Sequence, residues 1–188
     1  MMLSKLKLRE KCLEKRNIFF KKKGEDCLKE EDINFIVSEI TSKIKIKSVG
    51  IYYPAKSEIS PLKLIKICNN LSIKICLPVI DKKVNELIFS KFDKQNILTK
   101  NKYGIKEPIK INPITPDIIF VPMVAFDKNL NRLGYGKGYY DRSISKLRKL
   151  KKIFVIGLAY DNQMVQYIPN ENHDEKMDII ITEKKIYR

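Results

Sequence analysis

The chain has 188 residues, enough for one domain with a substantial core, and a 44% hydrophobic content that argues for a folded globule. Its 38 lysines and arginines against 22 acidic residues give a formal charge of +16, which favours anionic partners: nucleic acid, an acidic membrane surface or polyanionic small molecules. Charged residues are dispersed, so no block reads as disordered, and solvated faces in an Ile- and Asn-rich chain account for much of the lysine excess equally well. Residues 5–22 place Leu6, Leu8, Leu13 and Phe20 among Lys, Arg and Glu, the pattern of an amphipathic helix ending near Gly24. A second helix is expected over 29–44, where Ile33, Ile36, Val37 and Ile40 recur at helical spacing and Glu30 to Asp32 suit the positive end of the dipole. Short β-branched runs at 48–53, 73–79, 117–121, 153–158 and 178–182 read as strands, with helical stretches near 60–71 and 138–150. Their nearly continuous apolar character predicts a sheet covered on both faces by helices: an α/β fold with a mostly parallel central sheet in one three-layer domain, residues 1–188. The stretch 81–113 is the least regular, with an extra strand expected at 86–92 and irregular backbone from Tyr103 to Pro108.

Cys12, Cys27, Cys68 and Cys76 form no CxxC pair and accompany no histidine cluster, so they read as small apolar fillers in a reducing compartment. Residues 1–16 lack an apolar run of signal-peptide length and no apolar run is long enough to span a membrane, so a cytoplasmic location is expected.

The segment 116–142 carries a predicted strand into a long loop and then a helix, with Gly134, Gly136 and Gly138 in the loop. Glycines of this kind let a loop turn its amide N–H groups inward and approach phosphate oxygens closely. Arg132, Lys137 and Arg142 add cations at the same place, and a helix start near Tyr139 would add free amides and partial positive charge. The loop is neither GxxxxGK[ST] nor GxGxxG, since Tyr139 stands where the last glycine of the second would be. A plain surface turn is the competing reading.

The run Arg132-Leu-Gly-Tyr-Gly-Lys-Gly-Tyr-Tyr-Asp-Arg142 resembles the RLGxGxGYYDR signature of the 5-formyltetrahydrofolate cyclo-ligase family. Lys5-x-x-Leu8-Arg9-x-x-x-Leu13-x-x-Arg16 is similar to the family's opening KxxLRxxxLxxR, and Ile51 to Ile59 to its Y-x-P…E-I segment. Tyr103-Gly-Ile-Lys-Glu-Pro108 is similar to its G-I-x-E-P segment, and Pro169 to Glu183 to P-x-x-x-H-D-x-x-x-D-x-x-x-T-E. The likeness runs in order along the whole chain.

The resemblance implies ATP- and Mg²⁺-dependent cyclisation of 5-formyltetrahydrofolate to 5,10-methenyltetrahydrofolate, with release of ADP and phosphate. It also implies a Rossmann-like scaffold related to sugar-phosphate isomerases and CoA transferases. By the same resemblance Lys5, Arg9, Arg132, Gly134, Tyr135, Gly136, Lys137, Gly138 and Asp141 would bind ATP, with Lys137 and Arg132 catalytic. Tyr53, Glu58, Lys137, Tyr139 and Tyr140 would bind the folate, and Asp141 and Asp178 would hold the magnesium. Read without the family, Lys5 and Arg9 are exposed helix charges, Asp141 a first-turn residue, Asp178 the start of a strand and the tyrosines core packing. His173, the sole histidine, is expected to make a structural hydrogen bond, positioning Asp178. The expected partners are ATP and a folate, polyglutamylated or not, with no nucleic acid or membrane, and the expected state is a monomer. Two other readings compete: a basic nucleic-acid-binding module, and another ATP-dependent small-molecule enzyme on the same scaffold.

Overall fold

The computed structural model describes residues 4–24, 28–43, 45–93 and 96–188. Cys27 and the side chains of Glu30, Asp32, Ile36 and Ile40 lie outside the described residues and side chains. Helix α1 (Lys5–Lys23) begins at Ser4, whose hydroxyl accepts the Lys7 N–H, and ends at Gly24, whose N–H returns to the Phe20 carbonyl. Three lysines in its last turn suit the negative end of the dipole. The buried face differs from the expected one. It runs through Leu8, Cys12 and Arg16, whereas Leu6 is exposed.

Helix α2 (Glu30–Lys43) buries Ile33 and Val37 against Leu64 and Ile67 of α3 (Lys63–Asn70). The main sheet is built from β1 (Ser48–Gly50), β2 (Lys74–Asp81), β3 (Glu86–Phe92), β6 (Ile118–Pro122), β9 (Phe154–Leu158), β10 (Ile179–Ile181) and β11 (Ile186–Tyr187), in the order β11-β10-β9-β6-β1-β2-β3. The five inner strands are parallel and each edge strand is antiparallel to its neighbour. Side chains alternate across the sheet: Ile118 and Phe120 pack with α2 and α3 on one face. Ile119 and Val121 pack with Ile144 of α4 (Tyr139–Leu150) on the other. Two covered faces explain why these strands read as unbroken apolar runs.

All five predicted strands are present, and the extra strand at 86–92 is the antiparallel β3. The unreadable stretch resolves into a hairpin of β4 (Leu98–Lys100) and β5 (Lys106–Pro108). At its tip the Asn101 side-chain oxygen accepts the N–H groups of Tyr103 and Ile105, and Gly104 takes φ 76°. A second small hairpin, β7 (Ala125–Phe126) with β8 (Arg132–Leu133), leads into the glycine-rich loop. Strands of two or three residues are too short to carry a periodic signal.

From β1 the chain winds outward through β2, and from β6 it winds the other way through β9 and β10. Their junction is a topological switch point, the place where loops at the carboxyl ends of parallel strands diverge and leave a crevice.

Candidate active site

A cavity of about 1000 Å³ lies at that switch point, bordered by Tyr52 and Tyr53 just after β1, Pro122 at the end of β6, the 134–138 loop and the start of α1. Its volume is at the upper end of the range for small-molecule sites, about 300–1,000 Å³. Every residue expected to bind ATP or folate lines it.

One wall is cationic. Lys5 and Arg9 lie one turn apart on one face of α1, and both are half-buried rather than exposed. The Lys5 ammonium sits 2.6 Å from Asp174 and 2.9 Å from Glu171. Burial lowers its pKa, but the two carboxylates more than offset that and leave it above the ordinary lysine value. Arg9 Nε donates to the Gly134 carbonyl at 2.7 Å, tying α1 to the loop. Arg132 Nη2 donates to both Asp141 oxygens, at 2.8 and 2.9 Å, and its Nε is buried with no partner among the described residues.

Each loop glycine makes room for a guanidinium. A Cβ at 134 would stand 2.6 Å from Arg132 Nη1, one at 136 would stand 3.1 Å from Arg9 Cζ, and one at 138 would stand 2.6 Å from Arg142 Nη1. Gly136 and Gly138 also need φ of 89° and 67°, which suit a residue without Cβ. The glycines therefore let arginines close on the backbone as well as freeing it for an anion. Gly138 caps α4 in the left-handed conformation and supplies no side-chain cap, so the first-turn amides remain available to an anionic ligand. Lys137 is exposed at the loop's tip.

A second part of the lining is aromatic around one carboxylate. Glu58 is 5% exposed, and its Oε2 accepts the Ala55 N–H at 2.8 Å. Burial pushes its pKa above the usual carboxylate range, while the Ala55 N–H, Arg16 and the Tyr135 hydroxyl pull it back. Burial raises the Tyr140 phenol strongly, with Glu58 adding to the rise, and Arg132 stacks 5.8 Å from its ring centroid. Tyr53 lies under Lys106 Nζ, 4.9 Å from the ring centroid. At the mouth the Tyr139 hydroxyl is 3.2 Å from that of Tyr103 at the hairpin tip.

Asp178 is not brought to the cavity. It precedes β10, where its Oδ2 accepts the Val155 N–H at 2.7 Å and pairs with Arg148 at 3.2 Å. Arg148 lies two turns along α4 from Asp141, about 10 Å of helix, toward the amino end of the sheet. His173 does line the cavity, but its Nε2 is 3.3 Å from Glu171, so its partner is not Asp178. Glu171 as a holder of Lys5 and Tyr103 as a wall residue have no readable signal of their own, whereas Asp174 stands at the aspartate of the H-D pair in the segment that resembles the family. Arg16 could have been found from the 5, 9, 12, 16 spacing, which puts all four residues on one helical stripe.

Among the described residues no three His, Cys, Asp or Glu converge, so no all-protein metal cage is built. Magnesium does not need one: it commonly takes one or two carboxylates, with substrate phosphates and water completing six oxygens. Asp141, partly buried at the cavity edge beside Arg132, fits that single-carboxylate role.

A model of the 5-formyltetrahydrofolate cyclo-ligase family matches residues 1–183. The 5-formyltetrahydrofolate cyclo-ligase of Haemophilus influenzae is 34% identical over 142 residues, covering 72% of this chain and 75% of that protein. The probable 5-formyltetrahydrofolate cyclo-ligase of Schizosaccharomyces pombe is 34% identical over 169 residues, covering 81% and 82%. The NMR structure of Aquifex aeolicus 5,10-methenyltetrahydrofolate synthetase superposes with a TM-score of 0.71 at 31% identity, covering 99% of this chain and 93% of that one.

Proposed function

The chain belongs to the 5-formyltetrahydrofolate cyclo-ligase family, and from the two-walled cavity we propose how its residues divide the family's reaction. It is an enzyme that uses ATP to cyclise 5-formyltetrahydrofolate to 5,10-methenyltetrahydrofolate, releasing ADP and phosphate. The observation that carries the residue assignment is the convergence of a cationic wall and an aromatic, carboxylate-bearing wall on one cavity at the switch point.

The nucleotide phosphates lie on the cationic wall. Lys5, Arg9, Arg132 and Lys137 meet them with charge, the backbone at Gly134, Tyr135, Gly136 and Gly138 with amides, and the α4 terminus with partial positive charge. Lys5 exchanges its Asp174 and Glu171 partners for phosphate oxygens as the nucleotide enters. Asp141 would hold magnesium together with the phosphates, and the ion would supply positive charge to offset charge on the transferred phosphoryl group. The folate lies on the other wall, its amino-pyrimidine edge donating to Glu58 and its rings against Tyr53, Tyr139 and Tyr140.

The formyl oxygen then attacks the γ-phosphorus, the bond to the ADP oxygen breaks, and a phosphorylated imidate-like species forms. N10 adds to the activated formyl carbon, the C–O bond breaks, and phosphate departs with its electron pair and takes up the proton that N10 releases, leaving the methenyl cation. Lys137 and Arg132 neutralise the charge shifted during the first step, and no covalent enzyme intermediate is required. Cys12, Cys68 and Cys76, all free and buried, suit the reducing cytoplasm in which we place the enzyme, as a monomer.

A second, open cavity of about 530 Å³ adjoins the mouth, lined by Lys102, Lys137 and Arg142 with Tyr103 and Tyr139. This cationic groove suits the carboxylates of a polyglutamylated substrate. A KM that rises more steeply with salt for polyglutamates than for the monoglutamate is the expected result, and equal salt dependence refutes it.

The reaction is tested with purified protein, 5-formyltetrahydrofolate, ATP and Mg²⁺, following the near-ultraviolet absorbance of the methenyl product. Growth of the band only in the complete mixture is the expected outcome. No product from folded protein rejects the assignment.

A further inference from the structure

Three cations accompany the glycine-rich loop, and one of them is used differently from the other two. Arg132 and Lys137 border the large cavity, whereas Arg142, among the described residues, borders only the adjoining groove. The Arg142 guanidinium is engaged by backbone. Its Nε and Nη2 donate to the Asn85 carbonyl at 2.8 and 2.6 Å, and Nη2 also donates to the Lys137 carbonyl at 2.8 Å. The group lies 5.6 Å from the Tyr139 ring centroid, and its Nη1 occupies the space that a Cβ at Gly138 would need. Asn85 ends the turn between β2 and β3, and the start of β3 is fastened to α4 twice more. The Leu87 N–H donates to Ser143 Oγ at 2.7 Å, and Lys146 pairs with Glu86 at 2.6 Å. Arg142 therefore ties the tip of the loop to an anchored edge of the main sheet.

Lys137 stands where such a tie matters. It lies between Gly136 and Gly138, two glycines at positive φ, and its side chain is exposed. Glycine on both sides leaves the intervening backbone with few steric limits, so an outside contact has to fix its orientation. The bond from Arg142 fixes the peptide between Lys137 and Gly138: that peptide is trans, so a pinned carbonyl sends the Gly138 N–H the opposite way. Arg9 pins the Gly134 carbonyl in the same manner at the other end of the loop. We propose that Arg142 is a positioning residue for the reaction, holding the Lys137–Gly138 peptide against the β2–β3 turn so that the Lys137 ammonium stays at the transferred phosphoryl group. This rests on Lys137 being a catalytic cation, as assigned above. A guanidinium suits the task because its rigid planar fork reaches two carbonyls at once, whereas an ammonium is a point charge on a flexible stem.

The test is a double-mutant cycle on Arg142 and Lys137, read as kcat and KM for ATP and for the monoglutamate substrate, with melting temperatures alongside. Arg142→Ala is expected to lower kcat roughly tenfold while each KM changes less than about threefold, because the lysine is misplaced rather than removed. Added to Lys137→Ala, the same substitution should cost less than about twofold further, since the group that Arg142 places is already gone. Guanidinium ion at millimolar concentration should restore part of the kcat of Arg142→Ala and none of that of Lys137→Ala. Arg142→Lys keeps the charge but not the fork and should fall between the wild type and Arg142→Ala, which gives the reading even where the alanine variant folds poorly. Wild-type kcat in the folded Arg142 variants, a loss confined to KM, or a loss that adds in full to that of Lys137→Ala overturns the positioning role and leaves the Lys137 assignment standing. Wild-type kcat in Lys137→Ala overturns both.

Discussion

The phosphate wall and the mouth of the cavity are built to different standards. In the phosphate wall the arginines are locked: Arg132 is gripped by both oxygens of Asp141, Arg9 is bonded to the loop backbone, and the glycines fit against guanidinium groups. At the mouth, Tyr103 stands on a hairpin of two three-residue strands and meets Tyr139 through an exposed hydroxyl contact, with Lys102 5.1 Å from the Tyr103 ring centroid. Preorganised charge in a partly enclosed site acts on a transition state without reorganising, whereas exposed contacts are weakened by water and salt. Changes in the first wall should therefore strike turnover, and changes at the mouth should strike binding.

The largest effect is expected from Lys137→Ala. It should lower kcat by about 10²-fold or more while leaving the melting temperature near wild type, because the side chain is exposed. Normal turnover in that variant would show that Lys137, which also lines the groove beside the mouth, does not act with the locked arginines. Gly134→Ala comes next. Its methyl would meet Arg132 Nη1, a guanidinium held in place by Asp141, so we expect roughly tenfold lower kcat/KM for ATP with the folate KM little changed.

A paired comparison separates the two aspartates. Asp141→Asn should raise the Mg²⁺ concentration needed for half-maximal rate severalfold. Asp178→Asn should instead lower stability by about 1–3 kcal/mol through its bonds to Val155 and Arg148, read as a fall in melting temperature at unchanged Mg²⁺ dependence. Equal rises in Mg²⁺ requirement would put Asp178 back at the metal. The smallest effect belongs to the mouth: Tyr103→Phe removes one exposed hydroxyl contact and should raise the folate KM about two- to fivefold with kcat retained. A fall in kcat as large as that of Gly134→Ala would show the mouth to be part of the catalytic wall.

Much of the fold was legible, because strands buried on both faces and helices buried on one leave runs and periods in the text. The β4–β5 hairpin was not, since three-residue strands leave no period and its turn depends on the Asn101 side chain reaching two backbone amides. The candidate site was legible mainly through the family resemblance. Lys5 and Arg9 have no feature that marks them off from the chain's other surface-type cations until α1 is docked on the loop.

The sequence by itself determined the five inner strands, the helices between them and the glycine-rich cationic segment, because these rest on local spacing and on residues that tolerate particular backbone angles. The tertiary structure decided which charges act together. It buried Arg16 against Ser57 and Tyr135, set Asp141 against Arg132, and carried Asp178 to the amino end of its strand to bond Val155 and Arg148. Spacing along a chain reports which face of an element a residue occupies, but the sheet order decides what that face meets. A lysine reads the same in sequence whether its partner is water or, as for Lys5, a carboxylate from a loop more than a hundred residues away.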